Sequence, residues 1–261
     1  MGGLNVLEAM IGAARAAGEV ALRYYRGGFD VVLKADQTPV TQADREAEQL
    51  IVDRLGRAFP DCGFLGEEFG DSGAKDRRFI IDPIDGTKNF VRRIPVWATL
   101  LALEEGGEVT AGVVYSPAIG EMLWARRGGG AFRNGERVTV SRIARLADAQ
   151  LIHSSLRPLR EAGYWERFAR LVDATDRQRG FGDYMGYTLV AEGKAEIYAE
   201  IYGEGGGLKP WDLAPCKILV EEAGGIFTDL EGHPTIYTGS ALATNGHLHE
   251  AALGLLRSPA P

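Results

Sequence analysis

Three short stretches of the sequence place carboxylates where predicted elements end or begin: "GEE" at 66–68, "DPIDGT" at 82–87 and "WD" at 211–212. The second stretch follows an apolar run that is typical of a buried strand. Hard divalent cations such as Mg²⁺ bind oxygen ligands of this kind. Carboxylates that converge from separate loops could hold two such ions, an arrangement that is suited to phosphoryl transfer. The pattern therefore indicates a metal-dependent hydrolytic site.

Each of these acids also has a purely structural interpretation. Asp82 and Asp85 could be turn residues, since aspartate is favoured in turns. Asp212 could stabilise a helix N-terminus through the helix dipole, and Asp44, three residues after Thr41, could be the acid of a capping box. Each structural interpretation is reasonable for a single residue. Together they explain the pattern poorly, because so many carboxylates lie beside apolar segments.

Other site chemistries fit the sequence less well. Two residues separate the acids of "DPIDGT", whereas the haloacid dehalogenase phosphatases need Asp-x-Asp-x-Thr and a calcium loop needs oxygen ligands at alternate positions. Cys62 and Cys216 do not form a pair that suggests a disulfide framework or a thiolate metal site. The histidines show no metal-ligand spacing and we interpret them as structural or surface residues. They are His153, His233, His247 and His249.

The composition narrows the range of partners. The chain has 261 residues, of which 45% are hydrophobic and 25% charged, as in ordinary globular proteins. A formal net charge of −7 argues against a nucleic-acid or anionic-membrane surface. No apolar run is long enough to span a bilayer, and the start of the chain does not look like a signal peptide. We expect a cytoplasmic protein with a small-molecule partner, no nucleic acid and no membrane, in which any phosphate ligand needs a bridging cation.

The hydrophobic pattern predicts a mixture of helices and strands without a regular βαβ repeat. Helices are predicted over 4–26, around Leu50–Leu55, and over 161–175, 183–193, 211–225 and 247–258. Strands are predicted over 78–82, in a hairpin over 96–115, and over 120–132, 134–140, 149–155, 195–202, 225–230 and 241–245. We interpret the chain as two tightly joined α+β halves, residues 1–145 and 146–261, that form one compact unit.

The motifs together resemble the inositol monophosphatase superfamily of Mg²⁺-dependent, lithium-sensitive sugar and alcohol phosphatases. The chain carries "GEE", "DPIDGT", "WDLAP" and "EEAGG" in the order of the family signature, and the similarity covers essentially its whole length. The resemblance implies an alternating αβαβα sandwich, commonly a homodimer. It also implies hydrolysis of a phosphate monoester by a metal-activated water that attacks in line, with two or three Mg²⁺ ions and Mn²⁺ as an acceptable substitute.

The resemblance also implies roles for individual residues. The implied metal ligands are Glu67, Asp82, Asp85, Asp212 and the carbonyl oxygen of Ile84. Thr87 and Glu67 would position the nucleophilic water, with Asp44 hydrogen-bonded to Thr87. The backbone N–H groups of Gly86 and Thr87, at a helix start, would face the phosphate. Lys34 would reach the active site from the loop before Asp44.

Two further segments resemble the bacterial histidinol-phosphate phosphatases of this superfamily. They are "KNFVRRIPVWAT" at 88–99 and the stretch from Gly180 to Glu200. In that branch Asp183 and Glu200 would face the ammonium and imidazole groups of the substrate, since carboxylates suit a cationic partner. We therefore predict a histidinol-phosphatase of histidine biosynthesis.

Alternatives to this substrate remain open. The glycine-rich stretch 203–207 departs from the histidinol-phosphate branch, and Glu204 competes with Glu200 for the substrate-facing role. Within the enzyme class, the alternative is an inositol-1-monophosphatase or a broad sugar phosphatase that also acts on fructose 1,6-bisphosphate. A non-catalytic metal- or phosphate-binding protein would be a function of another class, but we would expect such a protein to lose a ligand or the threonine.

Overall fold

The computed structural model describes residues 5–28, 31–33, 39–203 and 207–257. The α-helices are α1 (Val6–Gly27), α2 (Gln42–Ala58), α3 (Thr87–Val91), α4 (Leu156–Glu161), α5 (Trp165–Ala174), α6 (Asp183–Ala191), α7 (Pro210–Glu222) and α8 (His249–Arg257). The first ten strands are β1 (Val31–Leu33), β2 (Pro39–Thr41), β3 (Gly63–Gly66), β4 (Gly70–Ser72), β5 (Arg77–Asp85), β6 (Ala98–Glu105), β7 (Glu108–Ser116), β8 (Glu121–Arg126), β9 (Gly130–Arg133) and β10 (Glu136–Val138). The remaining strands are β11 (Gln150–His153), β12 (Arg177–Arg179), β13 (Ile197–Glu200), β14 (Ile226–Thr228) and β15 (Ala241–Thr244).

Two sheets and three layers of helices build the fold. The larger sheet has eight strands in the order β10-β9-β8-β7-β6-β5-β3-β4, and the smaller has five in the order β12-β11-β13-β15-β14. Helices α1 and α2 pack on one face of the larger sheet, α6 and α7 lie between the sheets, and α5 and α8 cover the outer face of the smaller sheet. The expected αβαβα sandwich is confirmed. Strands β1 and β2 form a separate hairpin.

The capping box predicted at Thr41 and Asp44 is present at the start of α2. The Thr41 backbone N–H donates to Asp44 Oδ2 at 2.7 Å, and the Ala43 N–H donates to Thr41 Oγ1 at 3.1 Å. These bonds satisfy backbone groups that have no partner within the helix. They also fix Asp44 in a buried position under the edge of the larger sheet.

Strands β3 and β5 bring two of the acidic motifs to the same edge of the larger sheet. They pair in parallel with Gly66 opposite Ile81, so that both strands end on the same side. The pairing of β5 with β6 shifts register between Asp82 and Asp85. Pro83 lies inside this irregular stretch, where it has no N–H to donate to the ladder. The irregularity therefore turns the end of β5 into a loop-like segment that carries two carboxylates.

Helix α7 approaches the larger sheet closely at Gly112 of β7. A Cβ atom at this position would lie 2.5 Å from Ile218 Cγ2 and 2.9 Å from Pro215 Cα. Only glycine leaves room for a helix at this distance, because real Cβ atoms do not approach other heavy atoms so closely. This contact sets the distance between the sheet and the helix that carries Asp212.

Some element predictions need correction. The single helix predicted over 161–175 is wrong, since α4 ends at Glu161 and α5 begins at Trp165. Gly163 lies between them with a φ of 76°, a left-handed conformation that ends α-helical structure. Most of the glycine-rich stretch lies outside the described residues. Among those described, no helix combines the length and the apolar character that are needed to cross a membrane.

The division into two halves at residue 145 stays a prediction. The larger sheet ends its last strand at Val138, and the smaller sheet begins at Gln150. However, one buried cluster includes Leu100 and Leu123 of the larger sheet, Leu219 of α7 and Ala243 of the smaller sheet. Each sheet thus buries one face against the same central helices.

Candidate active site

Three carboxylates from two distant parts of the chain meet at the edge of the larger sheet. Asp82 and Asp85 come from the irregular end of β5, and Asp212 comes from the first turn of α7. Each of the three offers one oxygen atom that lies within 4.8 Å of the corresponding atoms of the other two. Asp82 and Asp85 are buried, and Asp212 is partly exposed. The fold thus brings together acids that are 130 residues apart in the sequence.

Backbone N–H groups orient each of these carboxylates. The Ile84 N–H donates to Asp82 Oδ1 at 2.9 Å, and the Lys209 N–H donates to Asp212 Oδ2 at 2.7 Å. Asp85 Oδ2 accepts from the N–H of Tyr184 at 2.8 Å, which links the first sheet to the start of α6. Hydrogen bonds of this kind fix the direction in which a carboxylate presents its remaining lone pairs.

The electrostatic environment of the cluster disfavours the charged form of its acids. Burial raises the pKa of Asp82 well above its usual range, and the charges of Glu67, Asp85 and Asp212 raise it further. Burial likewise raises the pKa of Asp85, with the neighbouring charges of Asp183 and Asp212 adding to the effect. The pKa of Asp212 rises to about 7, mainly through burial. Carboxylates that repel one another in this way are typical of cation-binding and catalytic sites.

Glu67 and Asp44 lie beside the cluster. Glu67 occupies the turn after β3, and its backbone N–H donates to the Ile81 carbonyl at 3.1 Å. Its charge contributes to the raised pKa of Asp82, Asp212 and Asp44, which places its carboxylate near all three. Asp44 is buried, and burial raises its pKa to about 7. Both predicted residues are therefore at the site.

The donor set fits a hard divalent cation. All of its side-chain donors are carboxylate oxygens, which suit Mg²⁺ and Mn²⁺ and do not favour softer metals. A cation at the centre of Asp82, Asp85 and Asp212 would offset the repulsion that raises their pKa values. The Ile84 carbonyl lies between the two aspartates of β5 in sequence.

Gly86 and Thr87 form the start of α3 directly after the acidic end of β5. Gly86 has a φ of 79°, and a Cβ atom there would lie 3.0 Å from the carbonyl oxygen of Val96. The expected hydrogen bond between Asp44 and Thr87 is not the one in the structure. Thr87 Oγ1 donates to the Ile84 carbonyl at 3.0 Å, and Asp44 accepts from Thr41 instead, because the capping box uses its carboxylate.

Asp183 lies at the start of α6 and faces the same region from the second half of the chain. Its Oδ2 atom accepts from Asn89 Nδ2 at 3.1 Å, and its φ of 56° is uncommon for a residue other than glycine. It also borders a cleft of about 450 Å³. The cleft is lined by Asn89, Ile94, Val96, His153–Ser155 and Gly180–Asp183. Backbone conformations of this kind are often found at functional sites.

Glu200 is the second predicted substrate residue, and it is only 1% exposed at the end of β13. The Tyr187 hydroxyl donates to its Oε2 atom at 3.0 Å. Burial, and then the charge of Asp183, raise its pKa to about 8. Lys34 and Glu204 lie outside the described residues, so their predicted roles stay predictions.

Comparison with known proteins places the chain in a family. The sequence model of the inositol monophosphatase family matches residues 4–259. The chain belongs to the inositol monophosphatase family. Its homologues there include histidinol-phosphatases and inositol-1-monophosphatases, which are phosphomonoester hydrolases. The recognition made from the four sequence motifs is confirmed.

Individual members of the family are similar to the chain over most of its length. It is 44% identical to the histidinol-phosphatase of Mycobacterium tuberculosis, over 97% of this chain and 98% of that protein. It is 45% identical to the histidinol-phosphatase of Streptomyces coelicolor, over 87% of this chain and 86% of that one. The solved structure of the Thermotoga maritima IMPase superposes with a TM-score of 0.86 at 33% identity, covering 97% of both chains.

Sequence reasoning missed several residues that support the site of this inositol monophosphatase family member. Glu48 accepts hydrogen bonds from the turn that carries Glu67, and Asn89 connects α3 to Asp183. The signal for Glu48 was available, because it is an acid on the buried face of α2, four residues after Asp44. The role of Asn89 had no such signal, since its partner lies 94 residues away.

Proposed function

We propose that the chain is a Mg²⁺-dependent phosphatase whose substrate is histidinol phosphate. The observation that carries this choice of substrate is the pair of acids, Asp183 and Glu200, beside the carboxylate cluster. Histidinol is cationic through its ammonium group, and carboxylates offer it electrostatic complementarity. The two histidinol-phosphatases that are 44% and 45% identical to the chain support the same choice.

Asp82, Asp85 and Asp212 would hold the metal, together with Glu67 and the Ile84 carbonyl. Their oxygen-only donor set and mutual repulsion support this assignment. We propose two or three Mg²⁺ ions, with Mn²⁺ able to replace them. When bound, such ions lower the pKa of water and neutralise charge on the phosphoryl and leaving oxygens.

The chain's own residues would bind and orient the reactants. Glu67 and Thr87 would direct the attacking water, since both border the cluster at the end of β3 and the start of α3. The N–H groups of Gly86 and Thr87 would donate to the phosphate, since they lie at the start of α3 directly after the acidic end of β5. Asp44 would add negative charge beneath the cluster and so favour cation binding.

The organic part of the substrate would occupy the cleft next to Asp183. Asp183 borders the cleft directly, whereas Glu200 lies beneath it and is held by the Tyr187 hydroxyl. We assign the ammonium group to Asp183 because it is the more accessible of the two acids. Lys34 and Glu204 are further candidates for contact with the substrate.

A second candidate function has a specific observation in its favour. The raised pKa of Glu200, about 8, makes this residue largely neutral at pH 7. A neutral carboxyl group can both donate and accept hydrogen bonds, and this suits the hydroxyl groups of a polyol. Inositol 1-phosphate and fructose 1,6-bisphosphate are therefore the alternative substrates.

We also propose that the protein is a homodimer, which light scattering on the purified chain would test.

The test is phosphate release from L-histidinol phosphate, inositol 1-phosphate and fructose 1,6-bisphosphate, measured side by side with Mg²⁺ and with a chelator. We expect kcat/KM for histidinol phosphate to be at least about 100-fold higher, equivalent to about 2.7 kcal/mol of transition-state stabilisation. Asp183→Asn should reduce this preference, because it removes the charge while keeping an acceptor for Asn89. If all three esters react alike, the enzyme is a general phosphatase of the family.

A further inference from the structure

Glu48 is a buried acid that is not part of the carboxylate cluster. It lies on α2 one helical turn after Asp44 and is only 1% exposed. Its two carboxylate oxygens accept from consecutive backbone groups of the turn that contains Glu67. The Glu68 N–H donates to Oε2 at 2.9 Å, and the Phe69 N–H donates to Oε1 at 3.0 Å.

Gly66, at the end of β3, makes room for this carboxylate. A Cβ atom at position 66 would lie 1.9 Å from Glu48 Oε1, so that any other residue would displace the side chain. Gly66 also pairs with Ile81, the residue directly before Asp82. The contact between Glu48 and Gly66 therefore fixes the turn relative to the strand that carries the first two aspartates.

Two further contacts hold the ends of the turn, since the Glu67 N–H donates to the Ile81 carbonyl at 3.1 Å and Gly66 pairs with Gly70 across β3 and β4. Residues 67–69 connect β3 to the short strand β4, and the Phe69 side chain is 52% exposed. A loop with little buried apolar surface opens easily unless hydrogen bonds hold it. Two N–H groups that donate to the two oxygens of one carboxyl group give the turn a defined geometry. Glu48 is well placed to give this turn a single conformation.

We propose that Glu48 is a positioning residue that holds the Glu67 turn in the metal-binding geometry before the metal arrives. The proposal rests on the proposed function, in which Glu67 is a metal ligand. Groups that orient metal ligands typically change metal affinity or activity about 10–100-fold when they are replaced. Glu48 touches neither substrate nor metal in this account, and it acts through the backbone of the turn.

The chain offers a matched control for this contact. Glu222 of α7 also uses both carboxylate oxygens to accept from a turn, the one between β8 and β9. The Gly128 N–H donates to Oε1 at 2.8 Å and the Gly130 N–H to Oε2 at 2.7 Å. Glu222 is partly exposed whereas Glu48 is buried, but Glu222→Gln makes the same chemical change at a carboxylate that bridges two N–H groups and serves no proposed ligand.

The first experiment compares Glu48→Gln with Glu222→Gln. Mg²⁺ binding is measured by calorimetry without substrate, and kcat and KM are measured at a fixed Mg²⁺ concentration. We expect Glu48→Gln to weaken Mg²⁺ binding about tenfold and to lower kcat with KM nearly unchanged, since the turn orients a ligand and not the substrate. Glu222→Gln should leave all three values within about twofold. Equal effects of the two variants, or wild-type Mg²⁺ affinity in Glu48→Gln, would overturn the proposal.

The second experiment needs no variant. Hydrogen exchange of the Glu68 and Phe69 amides is followed in the wild-type protein with and without Mg²⁺. We expect both amides to be protected in the metal-free protein, to about the same degree as Gly128 and Gly130. If they exchange freely until Mg²⁺ is added, the metal orders the turn and the proposal is wrong.

These measurements separate the proposal from the proposed function. A wild-type protein that hydrolyses none of the three esters would contradict the function. The calorimetry and the amide exchange would still decide whether Glu48 prepares a Mg²⁺ site. An active enzyme with an exchange-labile, metal-ordered turn would contradict only the role of Glu48.

Discussion

Buried acids at the two ends of strand β5 have opposite electrostatic environments. At the first end, Glu104 of β6 lies opposite Arg78, whose Nε atom is 2.8 Å from Glu104 Oε2. The side chains are 13% exposed for Arg78 and 3% for Glu104, and the Tyr237 hydroxyl also donates to Glu104. At the other end, Asp82 and Asp85 have raised pKa values because they are buried beside other carboxylates.

The difference separates a buried acid that is compensated by an opposite charge of the chain from buried acids that lie beside further carboxylates. Burying a carboxylate costs free energy unless an opposite charge and hydrogen bonds compensate for it. Arg78 gives Glu104 that compensation from within the chain. The neighbours that affect Asp82 most strongly are carboxylates, and they increase the cost. We therefore expect the compensation for Asp82 and Asp85 to come from a bound cation.

The largest expected effect is the loss of activity when a charge is removed at the acidic end of β5. Asp85→Asn should reduce kcat by at least about 1000-fold, or about 4 kcal/mol, because it weakens metal binding at the reacting centre. The amide oxygen can still accept from the Tyr184 N–H, and one buried charge is lost. The melting temperature without Mg²⁺ should therefore stay the same or rise. Near-normal turnover in a steady-state assay would contradict the role of Asp85 as a ligand.

Removing the charge of the paired acid Glu104, beside the start of β5, should lower stability and leave activity nearly unchanged. Glu104→Gln should lower the free energy of unfolding by about 2–3 kcal/mol, because it leaves Arg78 largely buried without its closest partner. Activity of the folded enzyme should remain within about twofold. Urea denaturation and steady-state kinetics measure the two quantities.

The neighbouring pair on the same two strands is the control. Arg77 and Glu105 are 2.9 Å apart, and both side chains are 41% exposed. Glu105→Gln should cost only about 0–1 kcal/mol, as exposed pairs do. If Glu104→Gln costs no more than this, burial does not distinguish the two pairs.

A pH-dependent stabilisation by Mg²⁺ is expected to be smaller than the effects of Asp85→Asn and Glu104→Gln. In the metal-free fold, burial raises the pKa of Asp44 and of Asp212 to about 7, against about 3.9 in an unfolded chain. Between these values the native state binds more protons than the unfolded state, so these groups lower stability as the pH rises towards 7. Mg²⁺ bound at the cluster would replace those protons, and its stabilising effect should therefore grow over the same range.

Thermal denaturation at about pH 6 and about pH 8, with and without saturating Mg²⁺, measures this effect. We expect the increase in melting temperature to be several degrees larger at the higher pH, corresponding to about 1–2 kcal/mol. Asp85→Asn should show a smaller increase at both values. An equal increase at both pH values in the wild-type protein would show that Mg²⁺ binding does not depend on the ionisation of these carboxylates.

Much of this comparison could be predicted from the sequence. The acids at 82, 85 and 212 stand out because each ends or begins an element, and the motifs around them identify the family. The hairpin of β6 and β7 was predictable because its two apolar runs flank a glycine pair, Gly106 and Gly107. Patterns that are local in sequence therefore indicated the centre of the site, and the family resemblance of the motifs implied the layers of the fold.

The supporting contacts could not be predicted, because they depend on tertiary structure. Glu48 and Asn89 have ordinary local contexts, and their partners lie 20 and 94 residues away. The predicted hydrogen bond between Asp44 and Thr87 is wrong because the capping box at Thr41 uses Oδ2 of Asp44. Only the three-dimensional arrangement shows that the Ile84 carbonyl is the partner of the Thr87 hydroxyl.

Gly112 has a consequence for how the sequence of such a protein can diverge. Because a side chain there would collide with Pro215 and Ile218, its replacement would move α7 and, with it, Asp212. A substitution at the rim of the cleft, at Phe181 for example, alters a surface and leaves the carboxylate cluster in place. Lineages that acquire new substrates are therefore expected to change the cleft first and to keep glycine at position 112 longest.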